Sequence, residues 1–139
     1  MNITTFEDLL SAARKEPEPQ RLLFVFARAE LPEEASPEEV ERFENGQGGA
    51  LAPVMFVDKK TDELQSFAEL VEESRHTGED WQVVFVGCLG GRGGQEPSDK
   101  EAQQALEMMV KSIQGGMVER FLAWRADGEQ IRFSPAAGR

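Results

Sequence analysis

The chain has 139 residues, of which 40% are hydrophobic and 29% charged, and these values are typical of one globular domain with a hydrophobic core. Asp and Glu outnumber Lys and Arg by 26 to 15, which gives a formal net charge of −11. Proteins that bind nucleic acid through its phosphates need cationic surfaces, so this charge argues against a nucleic-acid partner.

Membrane insertion and several metal or redox functions are also disfavoured. No apolar run is long enough to cross a membrane, and the N-terminal residues lack the basic and apolar regions of a signal peptide. The single cysteine, Cys88, and the single histidine, His76, exclude a disulfide framework and a Cys/His zinc site. The sequence therefore predicts an acidic, cytoplasmic protein without a membrane contact, a metal site or a cofactor.

Four helices are predicted, each from a start signal that is followed by apolar residues at helical spacing. Thr5 and Asp8 have the spacing of a capping box, in which a side-chain oxygen accepts a hydrogen bond from a backbone N–H that would otherwise lack a partner. The fourth helix begins in the same way at Ser98 and Glu101. The predicted helices span about residues 6–16, 37–44, 62–75 and 99–114.

About five strands are predicted from the remaining apolar runs. Residues 22–27 and 83–86 are continuously apolar, which is typical of strands that are covered on both faces. In the run 51–57, Pro53 indicates a strand start, an edge strand or a bulge. The last two runs, 118–124 and 131–133, flank an Asp-Gly pair and are predicted to form an antiparallel hairpin.

The alternation of helices and strands favours parallel pairing of the first three strands, to which the hairpin adds an antiparallel pair. We therefore expect a single α/β domain over residues 1–139. It would contain a mixed sheet of about five strands, flanked by about four helices. Residues 134–139 are expected to form a frayed tail.

Parallel strands would bring three loops together at the carboxyl edge of the sheet, where ligands bind in folds of this kind. Each of these loops follows one of the first three strands. The residues that they offer for ligand binding are Arg28 after the first strand, Asp58 and Lys59 after the second, and Cys88, Gly90, Gly91, Arg92, Gly93 and Gly94 after the third.

The glycine-rich loop 87–94 is the most unusual segment. Glycines allow backbone N–H groups to turn toward one point, and Arg92 could bind phosphate or carboxylate with two hydrogen bonds. The loop matches neither the P-loop motif nor the dinucleotide-binding motif. Two interpretations therefore stay open, a flexible surface loop and a site for a small anion or nucleotide phosphate.

No residue is predicted to be catalytic. A Cys88 nucleophile would need a nearby base, but His76 precedes the same predicted strand and is expected at its opposite end. Asp58 could contribute to a Mg²⁺ site, but Asp62 and Glu30 are the other carboxylates offered by neighbouring loops. A turn and helix cap around Asp58 and Asp62 is the alternative interpretation.

Two further features suggest a protein partner. Residues 30–44 carry seven Glu and one Arg, which is either a solvated surface or a docking surface for a basic partner. Trp124 lies in the predicted hairpin, where burial in the core is the default expectation. An exposed Trp124 would instead indicate a dimer or partner contact.

Three stretches that cover most of the chain, residues 1–32, 44–60 and 67–94, together resemble a family of small proteobacterial proteins that are sometimes labelled ribonucleotide reductase subunit alpha. The label implies radical chemistry with several cysteines, and the lone Cys88 cannot act as both radical carrier and reductant. Residues 50–70 also resemble the strand-turn-helix unit of SseB-like domains, and this likeness implies a non-catalytic interaction protein.

The sequence as a whole favours a non-catalytic binding or protein-interaction module that self-associates or binds another protein. The alternative is a protein, either a binding protein or an enzyme, that binds a small anion or a nucleotide phosphate at the loops after the first three strands. The two hypotheses differ in what they require of the glycine loop and Arg92.

Overall fold

Helices and strands alternate along the computed structural model, which describes residues 3–30, 36–44 and 50–132. The helices in this part of the chain are α1 (Phe6–Arg14), α2 (Pro37–Glu44), α3 (Phe67–Arg75) and α4 (Asp99–Gln114). The strands are β1 (Gln20–Glu30), β2 (Ala50–Lys60), β3 (Val83–Gly90), β4 (Leu122–Arg125) and β5 (Gln130–Ile131).

The five strands form one sheet in the order β2-β1-β3-β4-β5. The α/β class, the five strands with their C-terminal hairpin and the four helices are confirmed. The expected parallel pairing is wrong, because every neighbouring pair is antiparallel. A helix between two strands is compatible with either direction of pairing, so the alternation of helices and strands does not by itself determine it.

Helices cover both faces of the sheet. Successive side chains of a strand point to opposite faces, so alternate residues of β1 contact different helices. On one face, α1 and α3 pack against Leu22, Phe24 and Phe26 of β1. On the other face, α4 packs against Leu23, Val25 and Ala27. This arrangement explains why residues 22–27 are continuously apolar.

An aromatic cluster joins α1 to the sheet and to α3. The Phe6 ring lies 5.9 Å from the ring of Phe24, 5.7 Å from Phe67 and 5.9 Å from Trp124. Trp124 is fully buried, and its indole N–H donates a 3.0 Å hydrogen bond to the Thr4 carbonyl. The expectation that Trp124 belongs to the core is therefore confirmed.

The start signals of three helices act as the sequence indicates. Thr5 and Ser98 cap α1 and α4, and each forms a reciprocal capping box with the acidic residue three positions later. Ser36 and Glu39 make the same two hydrogen bonds at the start of α2.

The start of α3 and the ends of two strands differ from the expectation. The cap of α3 is Ser66, whose hydroxyl accepts a hydrogen bond from the Glu69 N–H, so the predicted start near Asp62 is wrong. Asp58 belongs to β2 and not to a following loop or helix cap. The segment 87–90 likewise belongs to β3, because glycine and cysteine there continue the pairing with β1.

The predicted frayed tail at 134–139 lies outside the described residues. Within the described part, no helix is long and apolar enough to cross a membrane.

Candidate functional site

The antiparallel topology changes which predicted site residues lie together. Because β2 and β3 both run opposite to β1, their carboxyl ends lie at the same end of the sheet as the start of β1. Asp58, Lys59 and the glycine segment 87–94 therefore lie together at this end of the sheet, which we call the polar end. Arg28 lies at the other end of β1, where its Nε donates to the Glu30 carboxylate at 3.0 Å. The three loops thus do not converge on one site.

Arg21 is the central side chain of the polar end, and the sequence interpretation missed it. Its guanidinium is almost fully buried and donates to Asp58 Oδ2 at 2.6 Å, to the Pro97 carbonyl at 2.9 Å and to Asp99 Oδ1 at 3.3 Å. The hydrogen bond to Asp58 raises the pKa of Arg21 above its usual value. Arg21 thus ties β1 to β2 and to the start of α4.

The glycine-rich segment ends in a tight turn that already binds a carboxylate. Gly93 and Gly94 have φ of 58° and 81°, which side chains rarely adopt but a type I′ turn requires. Their N–H groups donate to the two carboxylate oxygens of Glu18, at 3.1 and 2.6 Å. The two N–H groups of this turn therefore converge on a carboxylate of the chain itself.

Gly91 is required because the backbone passes very close to it. A Cβ atom at this position would lie 1.8 Å from the Gln95 carbonyl oxygen. The Gly91 N–H also donates to the Pro19 carbonyl at 2.8 Å, next to the residue that binds the turn. The glycines of this segment therefore build a compact structural turn.

The other cations at the polar end also have carboxylate partners. Lys59 Nζ lies 2.7 Å from Glu73 of α3, and Lys60 Nζ lies 3.4 Å from Glu96. Arg92 is 90% exposed, and its guanidinium lies 3.5 Å from Glu101. An incoming anion would therefore compete with an existing ion pair at each of these positions.

Replacing Glu18 with alanine is expected to lower the free energy of unfolding by about 1 kcal/mol, because two charge-assisted hydrogen bonds at the surface are lost. The vacated turn should then bind small carboxylates. Acetate is therefore expected to raise the melting temperature of Glu18→Ala more than that of the wild type. Glu16→Ala, which changes an exposed carboxylate of the same segment, is the control. Equal acetate responses in all three proteins would contradict this account.

Cys88 lies near the end of β3, where part of its side chain is exposed and the rest is enclosed by residues of α4 and the sheet. Its pKa is raised, mainly because the surrounding protein removes water from the sulfur and also because of the Glu16 carboxylate. A nucleophilic cysteine needs the opposite shift, since the thiolate is the reactive form. His76 lies at the end of α3, and its Nε2 is 3.5 Å from Glu72.

The reactivity of Cys88 should show this shift directly. Near the ordinary thiol pKa, the unfolded chain carries the larger thiolate fraction, so the folded protein is expected to react more slowly with iodoacetamide. The difference should shrink as the pH rises above the folded-state pKa. Rates measured against pH, in buffer and in urea, check this. A faster reaction in the folded protein would indicate an activated thiol.

An apolar groove lies between β2 and α3. Its cavity of about 250 Å³ is lined by Phe26, Met55, Phe56, Val57, Leu70, Glu73, Ser74 and Thr77. Two contacts between strand and helix bracket it, the Lys59–Glu73 ion pair and a 3.4 Å contact from the Thr77 hydroxyl to the Met55 sulfur. The sequence interpretation missed this groove because it depends on which strand lies at the edge.

No group of three or more His, Cys, Asp or Glu side chains among the described residues is arranged to hold a metal ion. Neither a protein-family model nor a curated protein nor a solved structure matches the chain.

Proposed function

We propose that this chain is a non-catalytic module that binds another protein through the outer edge of β2. The observation that carries the proposal is the position of β2. It is an 11-residue strand that pairs with β1 on one side and ends the described sheet on the other. An edge strand of this kind offers backbone N–H and C=O groups for pairing with an added strand.

The edge is protected at its two ends but not in the middle. Pro53 lies at the point where the register between β1 and β2 shifts, and the charged residues 58–60 form the other end of the strand. Prolines, bulges and charges are the features by which proteins protect exposed strands from pairing. The segment between them, 54–57, is entirely apolar, and its residues 55–57 line the groove.

Anion binding or catalysis at the glycine segment has less support. The N–H groups of Gly93 and Gly94 donate to Glu18, and Arg92 lies next to Glu101. Cys88 has a raised pKa, which disfavours a nucleophilic role. A ligand at the polar end would first have to displace these internal carboxylates.

Selection from a displayed library of random peptides, with the purified protein as bait, tests the proposal. A family of related sequences that compete for one surface is expected. Sedimentation of the protein alone measures self-association, the other form of partner binding. A parallel thermal-shift screen uses phosphate, sulfate, nucleotides and Mg²⁺. The proposal would be overturned if the library showed no enrichment and the protein did not self-associate. It would also be overturned by a phosphate-dependent rise in melting temperature that disappears in Arg92→Ala.

A further inference from the structure

We infer that the partner presents an extended, basic segment that adds to β2 as a further strand and places an apolar side chain in the groove beside α3. This inference rests on the proposed function and specifies its surface and the chemistry of its partner. It combines three features of β2, namely its position at the end of the described sheet, the apolar residues on both of its faces and the exposed carboxylates around it.

The free edge favours an extended partner. In the register with β1, Met55 and Val57 pair with Phe26 and Phe24 and lie on the face covered by α1 and α3. Phe56 pairs with Val25 on the opposite face, and it is 48% exposed. Side chains of an added strand would alternate between the groove and Phe56, so apolar contacts would be available on both faces.

The charges along β2 favour a basic partner, because its two partly buried ion pairs hide the cation and expose the carboxylate. In one pair, the Arg21 side chain is 7% exposed and that of Asp58 is 33% exposed. In the other, the Lys59 side chain is 15% exposed and that of Glu73 is 49% exposed. Both carboxylates lie near the carboxyl end of β2, Glu73 beside the groove and Asp58 on the opposite face of the strand, so this end of the strand presents negative charge to solvent.

A second copy of this chain fits the same edge less well. Each copy carries a formal net charge of −11, so two copies repel each other as they approach, whichever way their β2 strands are paired. Lysine or arginine beside an apolar centre would instead complement Asp58 and Glu73. We therefore assign the edge to a basic partner and not to a symmetric dimer.

The test uses short capped peptides with an apolar centre and lysines alternating with valines on either side. One matched peptide has glutamate in place of lysine, and another has N-methylated central residues that cannot donate hydrogen bonds. Amide chemical shifts of the isotope-labelled protein report both the affinity and the surface that is used. The lysine peptide is expected to shift the amides of 54–57 and 70–77, whereas the other two should bind at least about tenfold more weakly.

A pair of variants on α3 tests the contribution of charge. Glu73→Gln, at the groove, should weaken binding of the lysine peptide about fivefold, as expected for the loss of one partly exposed ion pair. Glu72→Gln is the matched control, because Glu72 lies on the other side of the same helix near Phe67 and Asp127. Its effect should stay within about twofold.

Several results would overturn the inference while leaving the interaction module in place. These are library-selected peptides with an acidic consensus, chemical shifts centred on the exposed Met108 of α4, and dimerisation through the β2 edge. Failure of the lysine peptide to bind, or equal binding of the glutamate peptide, would also overturn it. Failure of the whole library selection together with a monomeric protein would instead contradict the proposed function itself.

Discussion

Replacing Arg21 with alanine is expected to lower the free energy of unfolding by about 3 kcal/mol, because a buried guanidinium loses three hydrogen bonds, two of which are to carboxylates. The Arg21 guanidinium binds two carboxylates and the Pro97 carbonyl. Without it, the Asp58 carboxylate loses its ion-pair partner. The connection between β2 and the start of α4 is lost at the same time.

Urea unfolding and thermal melting of Arg21→Ala measure this effect, and a drop of roughly 10 °C in melting temperature is expected for a domain of this size. Arg28→Ala is the matched control. Arg28 belongs to the same strand, but its ion pair with Glu30 is exposed, so its removal should change stability by less than about 1 kcal/mol. Equal effects of the two substitutions would show that burial of Arg21 does not determine its contribution.

Replacing Phe6 with alanine is expected to be still more destabilising, by about 4 kcal/mol, because it leaves a cavity in the core in addition to the lost burial. Phe6 is 1% exposed and contacts the rings of Phe24, Phe67 and Trp124. The substitution should also loosen α1, since Phe6 is its first residue.

Phe56→Ala makes the same chemical change at a half-exposed position and serves as the control for Phe6→Ala. It should cost less than about half as much, because the water-exposed part of the ring contributes little to folding. Denaturant unfolding of both variants, monitored by tryptophan fluorescence, compares them. A loss of under about 2 kcal/mol for Phe6→Ala would mean that the neighbouring rings close the cavity.

Local features of the structure could be predicted because their determinants are close in sequence. The capping boxes of Thr5 with Asp8 and of Ser98 with Glu101 each span three positions. The continuously apolar strands follow from burial on both faces of the sheet. The start of α3 was misplaced because Asp62 and Ser66 are both suitable caps, and hydrogen bonding to the Glu69 N–H selects Ser66.

The direction of the strands and the contacts at the polar end could not be predicted in the same way. The direction of β2 is a long-range property, because a connection that contains a helix permits either parallel or antiparallel pairing of the strands it joins. Arg21 finds its carboxylate partners 37 and 78 positions away. Glu18 binds a turn 75 positions later, so the glycine segment could be recognised as a place for an anion but not assigned its occupant.

The two hydrogen bonds that join residues 3 and 4 to the C-terminal hairpin have a consequence for the order of folding. Trp124 donates to Thr4 and Gln130 donates to Ile3, across 120 and 127 positions. During synthesis, α1 would leave the ribosome long before the tryptophan that completes its core. Such long-range contacts slow folding, and a nascent chain halted before β4 should remain sensitive to protease at α1. The N-terminal helix therefore acquires its final protection only when the hairpin has emerged.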